Sequence, residues 1–353
     1  MDKKDILSLT LPELEAEITA LGEKKFRAGQ LFGWLHEKKI TSFAECTNLP
    51  KAFIEQLDAD YFIMVPAVKR KLESKIDGTV KFLYEFPDGE RAETVMMSYK
   101  HGNSLCISTQ VGCKMGCSFC ASTKAGFVRD LAPSEMLAQV YGSERESGRK
   151  VESLVLMGIG EPLDNFGNVL RFLQLLSSEK GKNMSLRHVS LSTCGIVPRI
   201  RELADMKTGL TLSVSLHAPT DEKRSAIMPI NKRYDTAELI DACKYYFSQT
   251  GRRISFEFAL IDGVNDDAVT AKELVKLLKP VSPCHVNLIP VNEIKEREYR
   301  KSSRVKEFTK LLCDSGINAT VRRTLGADIN AACGQLRRDA GQQDGNLKGG
   351  ADQ

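Results

Sequence analysis

The stretch Cys113-Lys114-Met115-Gly116-Cys117-Ser118-Phe119-Cys120 places three cysteines in the spacing C-x3-C-x2-C. Thiolates are soft ligands that suit iron–sulfur clusters, Cu(I) and zinc. A structural zinc site is normally closed by four protein ligands, and the sequence has no second C-x2-C or H-x3-H pair near this stretch. A [4Fe–4S] cluster is usually held by four cysteines, so three cysteines leave one iron open to another ligand. The spacing therefore favours a cluster with an open iron, with a three-thiolate zinc site as the alternative.

The composition of the whole chain agrees with a metal-binding or catalytic use of these cysteines. Ten cysteines among 353 residues are too few for a disulfide scaffold. No apolar run is long enough for a signal peptide or a membrane span, so we expect a soluble, cytoplasmic protein without a membrane partner. In that compartment a tight cysteine cluster more often binds metal or performs chemistry than forms disulfides. The net charge of +4 permits a nucleic-acid partner without indicating one.

The sequence pattern divides the chain into four expected segments. Residues 1–60 are predicted to form a small helical domain, with one helix that begins after Thr10, a suitable N-cap. Residues 61–103 are predicted to form a short β-meander, because turn sequences separate three β-rich runs. Those runs are 67–72, 79–86 and 92–99. Residues 104–337 form the expected main domain, and 338–353, rich in Gly, Gln and Asp, an expected disordered tail.

The main domain alternates between apolar strand candidates and helical stretches. The predicted strands are 104–108, 153–157, 189–193, 211–216, 255–261 and 286–291. The predicted helices are about 134–147, 166–178, 197–206, 236–249, 268–279 and 304–314. Six strand–helix units in a row predict the α/β class with a parallel sheet. Because there are six strands and not eight, we expect an open, partial (β/α)6 barrel.

The carboxyl ends of these strands are polar, and in barrels of this kind the chemistry lies at those ends. The second strand runs into Met157-Gly158-Ile159-Gly160-Glu161-Pro162, and the later ends are Ser192-Thr193, Ser215-Leu216-His217 and Asn292. Each one alone is readily explained as a turn or as a hydrogen-bonded strand end. Together, beside the cysteine loop, they predict a pocket of donors and acceptors that suits a zwitterionic, ribose-bearing ligand.

Three motifs together resemble the RlmN/Cfr family of radical S-adenosylmethionine RNA methyltransferases. They are the cysteine loop with Phe119 before its last cysteine, residues 157–162, and Ala331-Ala332-Cys333-Gly334-Gln335-Leu336. The resemblance extends over essentially the whole chain and includes a helical N-terminal domain like the family's small RNA-binding domain. The lead-in 107–112 and the ending 328–336 are closer to the RlmN branch, which methylates C2 of adenosine. The Cfr branch, which methylates C8 of the same ribosomal adenosine and confers antibiotic resistance, is the alternative.

The resemblance implies roles for particular residues of this chain. It implies a [4Fe–4S] cluster on Cys113, Cys117 and Cys120, and an S-adenosylmethionine pocket formed by Gly160, Glu161, Ser192, Ser215, Leu216, His217 and Asn292. It further implies that Cys333 becomes methylated, that Cys106 is a second catalytic cysteine, and that Glu93 is the proton acceptor. A glutamate in such a strand is, however, usually on the exposed side. Cys194 is expected to be a buried structural thiol, and Cys46, Cys243, Cys284 and Cys313 are expected in the core.

The implied reaction explains why two cysteines are needed. C2 of adenine is an electron-poor C–H position, so polar methyl transfer fails there and a cofactor must supply radical chemistry. The resemblance implies two S-adenosylmethionine molecules per turnover, one to methylate Cys333 and one to be cleaved to a radical. That radical would take a hydrogen from the methyl group on Cys333, and the resulting carbon radical would add to C2. Glu93 would then remove the C2 proton, and Cys106 would attack the Cys333 sulfur, which leaves a disulfide that a thiol must reduce.

The resemblance also implies the partners. They are an adenosine in the peptidyl-transferase region of 23S rRNA, in some members adenosine 37 of tRNA, a flavodoxin or ferredoxin as electron donor, and a thiol reductant; a monomer is expected. Basic clusters at 69–71, 297–304, 322–323 and 337–338 are candidates for phosphate contacts. The non-enzyme alternative is an RNA-binding module stapled by zinc, with His101 or Cys106 as the fourth ligand. It does not account for the distant Cys333.

Overall fold

The computed structural model describes residues 3–124, 126–291 and 299–331. Within them lie ten α-helices and fourteen strands. The helices are α1 (Leu11–Ala20), α2 (Phe26–Gly33), α3 (Lys51–Asp60), α4 (Pro133–Ser147), α5 (Phe166–Leu176), α6 (Val197–Asp205), α7 (Asp221–Ile227), α8 (Thr236–Thr250), α9 (Ala268–Leu278) and α10 (Val305–Asp314). The strands are β1 (Lys4–Asp5), β2 (Tyr61–Phe62), β3 (Ala67–Glu73), β4 (Val80–Glu85), β5 (Arg91–Tyr99), β6 (Gly102–Cys106), β7 (Gln110–Gly112), β8 (Phe127–Asp130), β9 (Ser153–Leu156), β10 (Val189–Thr193), β11 (Thr211–Ser215), β12 (Ser255–Leu260), β13 (His285–Pro290) and β14 (Asn318–Val321).

The N-terminal part is helical, as predicted. Thr10 precedes α1, and its backbone N–H donates to Glu13 Oε2 at 2.8 Å, the arrangement of a capping box. The buried His36 follows α2 and packs 4.3 Å from the Phe32 ring, while its Nδ1 lies 3.1 Å from the hydroxyl of Tyr141 on α4. This contact fixes the N-terminal helices against the main domain.

One sheet of ten strands contains both the predicted meander and the predicted parallel strands. Its order is β14-β13-β12-β11-β10-β9-β6-β5-β4-β3. From β14 to β6 every neighbouring pair is parallel, and from β6 to β3 every pair is antiparallel. The strand β6 is therefore the seam between the two halves.

The α/β fold class is confirmed, and each predicted strand and helix of the main domain is present with ends shifted by a few residues. Three features were not predicted: β14 is a seventh parallel strand, α7 is a short extra helix, and β7 and β8 form a separate hairpin around the cysteine loop. In the described parts of the sheet β14 and β3 are edge strands that do not pair with each other, which is consistent with an open barrel. The expected tail, 338–353, lies outside the described residues.

No described helix has the length and apolar character needed to cross a membrane. The main apolar core lies between the sheet and its helices, and it continues into the N-terminal helices through Phe32 and Leu35.

Candidate active site

A pocket at the carboxyl ends of the parallel strands brings most of the predicted site residues together. Its lining includes Cys113, Cys117, Cys120, Gly160, Glu161, Ser192, Ser215 and His217. These side chains come from the cysteine loop and from the ends of β9, β10 and β11, which are neighbours in the sheet. Since parallel strands end at the same edge, residues separated by a hundred positions in sequence converge there.

The cysteine loop lies between β7 and β8, and its backbone is tied to the body of the protein. The Ser118 N–H donates to the carbonyl oxygen of Ile227, at the end of α7, over 2.9 Å. Gly112 has φ +75°, and a Cβ atom there would lie 1.7 Å from the Gly126 carbonyl oxygen. Only glycine fits this approach, which sets the point where the chain leaves β7 for the loop.

The donor set of the loop fits an iron–sulfur cluster. Burial raises the pKa of the Cys113 thiol to about 12 and also raises that of Cys117, and the neighbouring cysteines add to both shifts. Buried, mutually repelling thiolates are stabilised by binding a cationic centre, since a coordinating thiol is deprotonated outright. A [4Fe–4S] cluster binds each thiolate through a separate iron, so three cysteines on one loop can hold it and leave one iron open.

The segment after β9 approaches the preceding strands so closely that it needs glycine. A Cβ atom at Gly158 would lie 2.6 Å from the carbonyl oxygen of Ile107, and one at Gly160, where φ is +110°, would lie 2.7 Å from Gln110 Cβ. The backbone N–H of Glu161 donates to Gln110 Oε1 at 2.8 Å. These contacts place the Gly160 backbone at the pocket surface, where it is open to a ligand.

Glu161 is 3% exposed and joins two strand ends. Its Oε2 accepts a hydrogen bond of 2.7 Å from the Cys194 N–H, and its Oε1 accepts one of 3.0 Å from the Leu163 N–H. Burial raises the pKa of this carboxyl, although the backbone donors act in the opposite direction. Cys194 is buried, as predicted, and it also lines the pocket.

His217 is held in one orientation and one protonation state. Its φ of +57° lies in the left-handed region, and its Nδ1 accepts a hydrogen bond of 2.8 Å from the Ala259 N–H. Burial lowers the pKa of the ring to about 3, with smaller contributions from Arg224 and Arg322. The ring is therefore neutral near pH 7 and carries its proton on Nε2, as a hydrogen-bond donor.

The remaining residues of the predicted pocket differ in position. The hydroxyls of Ser192 and Ser215 lie 3.4 Å apart on adjacent strands, at the pocket wall. Leu216 is fully buried, its side chain is not part of the lining, and its N–H donates to the Glu257 carbonyl oxygen. Asn292 lies outside the described residues.

Cys106 lies in a second pocket, beside the first. Met157, Ile289 and Arg322 line both pockets, so they form the wall between them. Ala331 lines the second pocket with Cys106 and is the last described residue before the 332–353 segment. Cys333, two positions further along the chain, lies outside the described residues.

Glu93 is 1% exposed, so the expectation of an exposed strand position is wrong. Its Oε1 lies 2.8 Å from Lys81 Nζ, and its backbone oxygen accepts a hydrogen bond of 2.7 Å from Ser108 Oγ. It shares one face of β5 with Val95, which lines the Cys106 pocket. His101, in contrast, stacks on Tyr99 and does not line the cysteine pocket. The expectation that Cys313 is a core residue is also wrong, because this residue is exposed.

Sequence reasoning missed a buried arginine behind the pocket. Arg224, on α7, is fully buried and donates hydrogen bonds to the carbonyl oxygens of Cys194, Ser215 and Leu216 and to Asn231 Oδ1. It thus ties the ends of β10 and β11 together below the cysteine loop. Its sequence neighbours, Asp221-Glu222-Lys223, indicate a solvated helix, so the sequence carries no signal for this role.

A three-cysteine loop above the carboxyl end of a parallel sheet, next to a glycine-rich strand end, is the arrangement of a radical S-adenosylmethionine enzyme. The family model of the radical SAM superfamily matches residues 107–278, and that of the ribosomal RNA large subunit methyltransferase N-terminal domain matches residues 4–63. Enzymes of this superfamily use a [4Fe–4S] cluster and S-adenosylmethionine, which the pocket residues suit.

Relatives define the family more closely. The probable dual-specificity RNA methyltransferase RlmN of Clostridium novyi is 51% identical over 95% of this chain and 98% of its own length. That of Lachnospira eligens is 52% identical over 94% of this chain and 95% of its own length. The crystal structure of a radical SAM methyltransferase from Sphaerobacter thermophilus has a TM-score of 0.90 and 41% identity, over 94% of this chain and 99% of that one. The chain belongs to the RlmN family of radical SAM RNA methyltransferases, as the motifs predicted.

Proposed function

We propose that this protein methylates C2 of adenosine in the peptidyl-transferase region of 23S rRNA and that adenosine 37 of tRNA is a second substrate. The relatives in Clostridium novyi and Lachnospira eligens are named as dual-specificity RNA methyltransferases, and each matches nearly the whole chain. The observation that carries the proposal is the pair of adjoining pockets, one lined by the three-cysteine loop and the other by Cys106 and Ala331.

The first pocket is proposed to bind the cofactors. Cys113, Cys117 and Cys120 would hold the [4Fe–4S] cluster. The proposed S-adenosylmethionine site consists of Gly160, Glu161, Ser192, Ser215, Leu216, His217 and Asn292. When bound, these groups supply the one-electron chemistry that activates a methyl group, with two S-adenosylmethionine molecules used per turnover. The protein would hold the bound cofactor in one orientation, because the side chains of His217 and Glu161 are themselves fixed by hydrogen bonds from backbone N–H groups.

The second pocket is proposed to act on the RNA base. Cys333 would accept a methyl group and then become linked through that carbon to C2 of the adenine. Glu93 would take the C2 proton, and Cys106 would attack the Cys333 sulfur to release the RNA. The resulting disulfide requires a thiol reductant, and a flavodoxin or ferredoxin is the proposed electron donor to a monomeric enzyme. RNA enzymes that modify a base usually extrude that base from its stack. We propose that the extruded adenine binds in the pocket that contains Cys106.

Nucleoside mass spectrometry tests the regiochemistry. The reconstituted protein would be incubated anaerobically with S-adenosylmethionine, a low-potential reductant and unmodified 23S rRNA, and the RNA would then be digested. We expect 2-methyladenosine, and the same product from unmodified tRNA. Formation of 8-methyladenosine would show that the protein methylates C8, the alternative position. Cofactor cleavage without any methylated adenosine would contradict the proposed substrate.

Two cysteine variants test the division of labour between Cys106 and Cys333. Cys106→Ala should still accept a methyl group on Cys333 and attack RNA, so a covalent protein–RNA adduct should accumulate on denaturing gels. Cys333→Ala should give neither adduct nor product. Normal turnover by the Cys106→Ala variant would contradict its proposed resolving role. Cys313→Ala is the control, since Cys313 is exposed and lines neither pocket.

A further inference from the structure

A buried lysine connects the antiparallel half of the sheet with the chain segment that precedes Cys333. Lys81 lies on β4, and its side chain is 10% exposed. Its ammonium group lies 2.8 Å from Glu93 Oε1 and donates a hydrogen bond of 3.1 Å to the carbonyl oxygen of Asn330. One charged group therefore contacts both the proposed base and the segment that leads to the methylated cysteine.

The segment 326–331 is fastened to the hairpin β3–β4 at further points. The Gly326 N–H donates to Asp77 Oδ2 at 2.9 Å. In the reverse direction, the Ser74 hydroxyl and the Lys75 N–H donate to the two carboxylate oxygens of Asp328, at 2.7 and 3.0 Å. The hairpin and the segment therefore exchange hydrogen bonds in both directions, and the position of one determines the position of the other.

Lys81 differs in its burial from Lys75 and Asp328, two other residues of these contacts. Lys75 and Asp328 are exposed, so water competes for their hydrogen bonds and each contributes little. The Lys81–Glu93 pair is buried, so little water competes for its contact of 2.8 Å. We therefore expect removal of Lys81 to disturb the Glu93 carboxylate more than removal of an exposed partner would.

We propose that Lys81 is a positioning residue that keeps the Glu93 carboxylate and the segment 326–331 in a fixed arrangement. This role rests on the proposed function, in which Glu93 takes the C2 proton while Cys333 is bonded to the base. Lys81 compensates the charge of a carboxylate that is 1% exposed, and its hydrogen bond to Asn330 places that carboxylate relative to the cysteine segment. Ala331, next to Asn330, packs against Val95 in the Cys106 pocket, so the arrangement extends to the site of the chemistry.

The test is the coupling between cofactor cleavage and RNA methylation. For Lys81→Met we expect an unchanged iron content and continued release of 5′-deoxyadenosine. The amount of 5′-deoxyadenosine per methyladenosine should rise about tenfold or more, equivalent to about 1.4 kcal/mol. Lys81→Arg should restore most of the coupling, because it keeps a buried cation with several donors. Lys182→Met is the matched control and should leave the coupling unchanged, since Lys182 forms a similarly buried ion pair of 2.5 Å with Glu144 but lines neither pocket.

A double variant keeps the test decisive if Lys81→Met folds poorly. Lys81→Met/Glu93→Gln removes both buried charges of the ion pair together, so it should fold better than Lys81→Met alone. If Lys81 acts through Glu93, the product yield of the double variant equals that of Glu93→Gln within experimental error. The proposal would be overturned if the losses of yield in the two single variants multiplied in the double variant. It would also be overturned if a folded Lys81→Met protein released no more 5′-deoxyadenosine per methyladenosine than the parent. Failure of the proposed function is distinguishable, because the parent protein itself would then give no methylated adenosine.

Discussion

Replacing the buried Arg224 tests whether the strand ends below the cysteine loop depend on one side chain. Arg224→Met keeps the apolar volume of the side chain but removes every donor of the guanidinium group. Four acceptors lose a partner: Asn231 Oδ1 at 2.9 Å and the carbonyl oxygens of Cys194, Ser215 and Leu216 at 2.6, 3.2 and 3.2 Å. Each unsatisfied buried acceptor costs about 1–3 kcal/mol.

Two effects make the net loss of stability smaller than the sum of these four costs. The Leu216 carbonyl oxygen still accepts a hydrogen bond of 2.8 Å from the Ala218 N–H. In addition, methionine avoids the desolvation of a buried guanidinium, which costs several kcal/mol and is also the reason why burial lowers the pKa of Arg224. We therefore expect the free energy of unfolding to fall by about 3 kcal/mol, at the upper end of ordinary single substitutions.

The assay is urea unfolding followed by far-UV circular dichroism, with parent and variant prepared identically. With a denaturant slope of about 3 kcal/mol per molar urea, the midpoint should fall by about 1 M. Arg201→Met is the control: Arg201 is 39% exposed and pairs with Asp241 on the surface, so its loss should change the free energy by less than about 0.5 kcal/mol. An Arg224→Met midpoint equal to that of the parent would refute the reasoning.

Three further outcomes are expected. Cys117→Ala should lose the iron and the brown colour of the reconstituted protein, whereas Cys313→Ala should retain both, as measured by iron analysis and absorbance. Gly112→Ala should also lose iron, because a Cβ 1.7 Å from a backbone oxygen displaces the start of the cysteine loop. Burial lowers the pKa of His36 from 6.5 to about 3, so the unfolded chain binds more protons below pH 6.5 and stability is lost as the pH falls. This loss of stability is about 2 kcal/mol at pH 5. His36→Gln should therefore reduce the difference in unfolding free energy between pH 7 and pH 5 by about that amount. His188→Gln, at an exposed position, should leave the difference unchanged.

The parallel part of the fold and the first pocket were predictable because their signals are local. Apolar runs and helical stretches alternate, and the rule that parallel strands end at one edge then brings Ser192, Ser215 and His217 to the cysteine loop without knowledge of any long-range contact. The glycines at 158 and 160 were equally visible as a strand-end motif, although the sequence does not show which backbone atoms they approach.

Residues whose burial depends on distant segments were not predictable. On β4 and β5, Lys81 and Glu93 occupy the polar positions that an alternating pattern places on the solvent side. They are nevertheless buried, and residues from far along the chain contact that face: Asn330 accepts a hydrogen bond from Lys81, and Ala331 packs against Val95. Arg224 was missed for a related reason: α7 is a seven-residue helix of mostly charged sequence, and only the packing of its inner side against the ends of β10 and β11 turns one of those charges inward.

The position of Cys106 indicates how one sheet could serve the two proposed chemical steps. Cys106 is the last residue of β6, where it pairs with Val155 of the parallel half on one side and with Val95 of the antiparallel half on the other. The parallel half carries the strand ends of the proposed cofactor pocket, and the antiparallel half carries Glu93 and the hairpin that binds the segment 326–331. A thiol at this seam lies beside the wall formed by Met157, which both pockets share. In the proposed function, the antiparallel extension of the sheet is thus what adds a base, a resolving thiol and a binding surface for the segment 326–331 to the cofactor pocket of the parallel half.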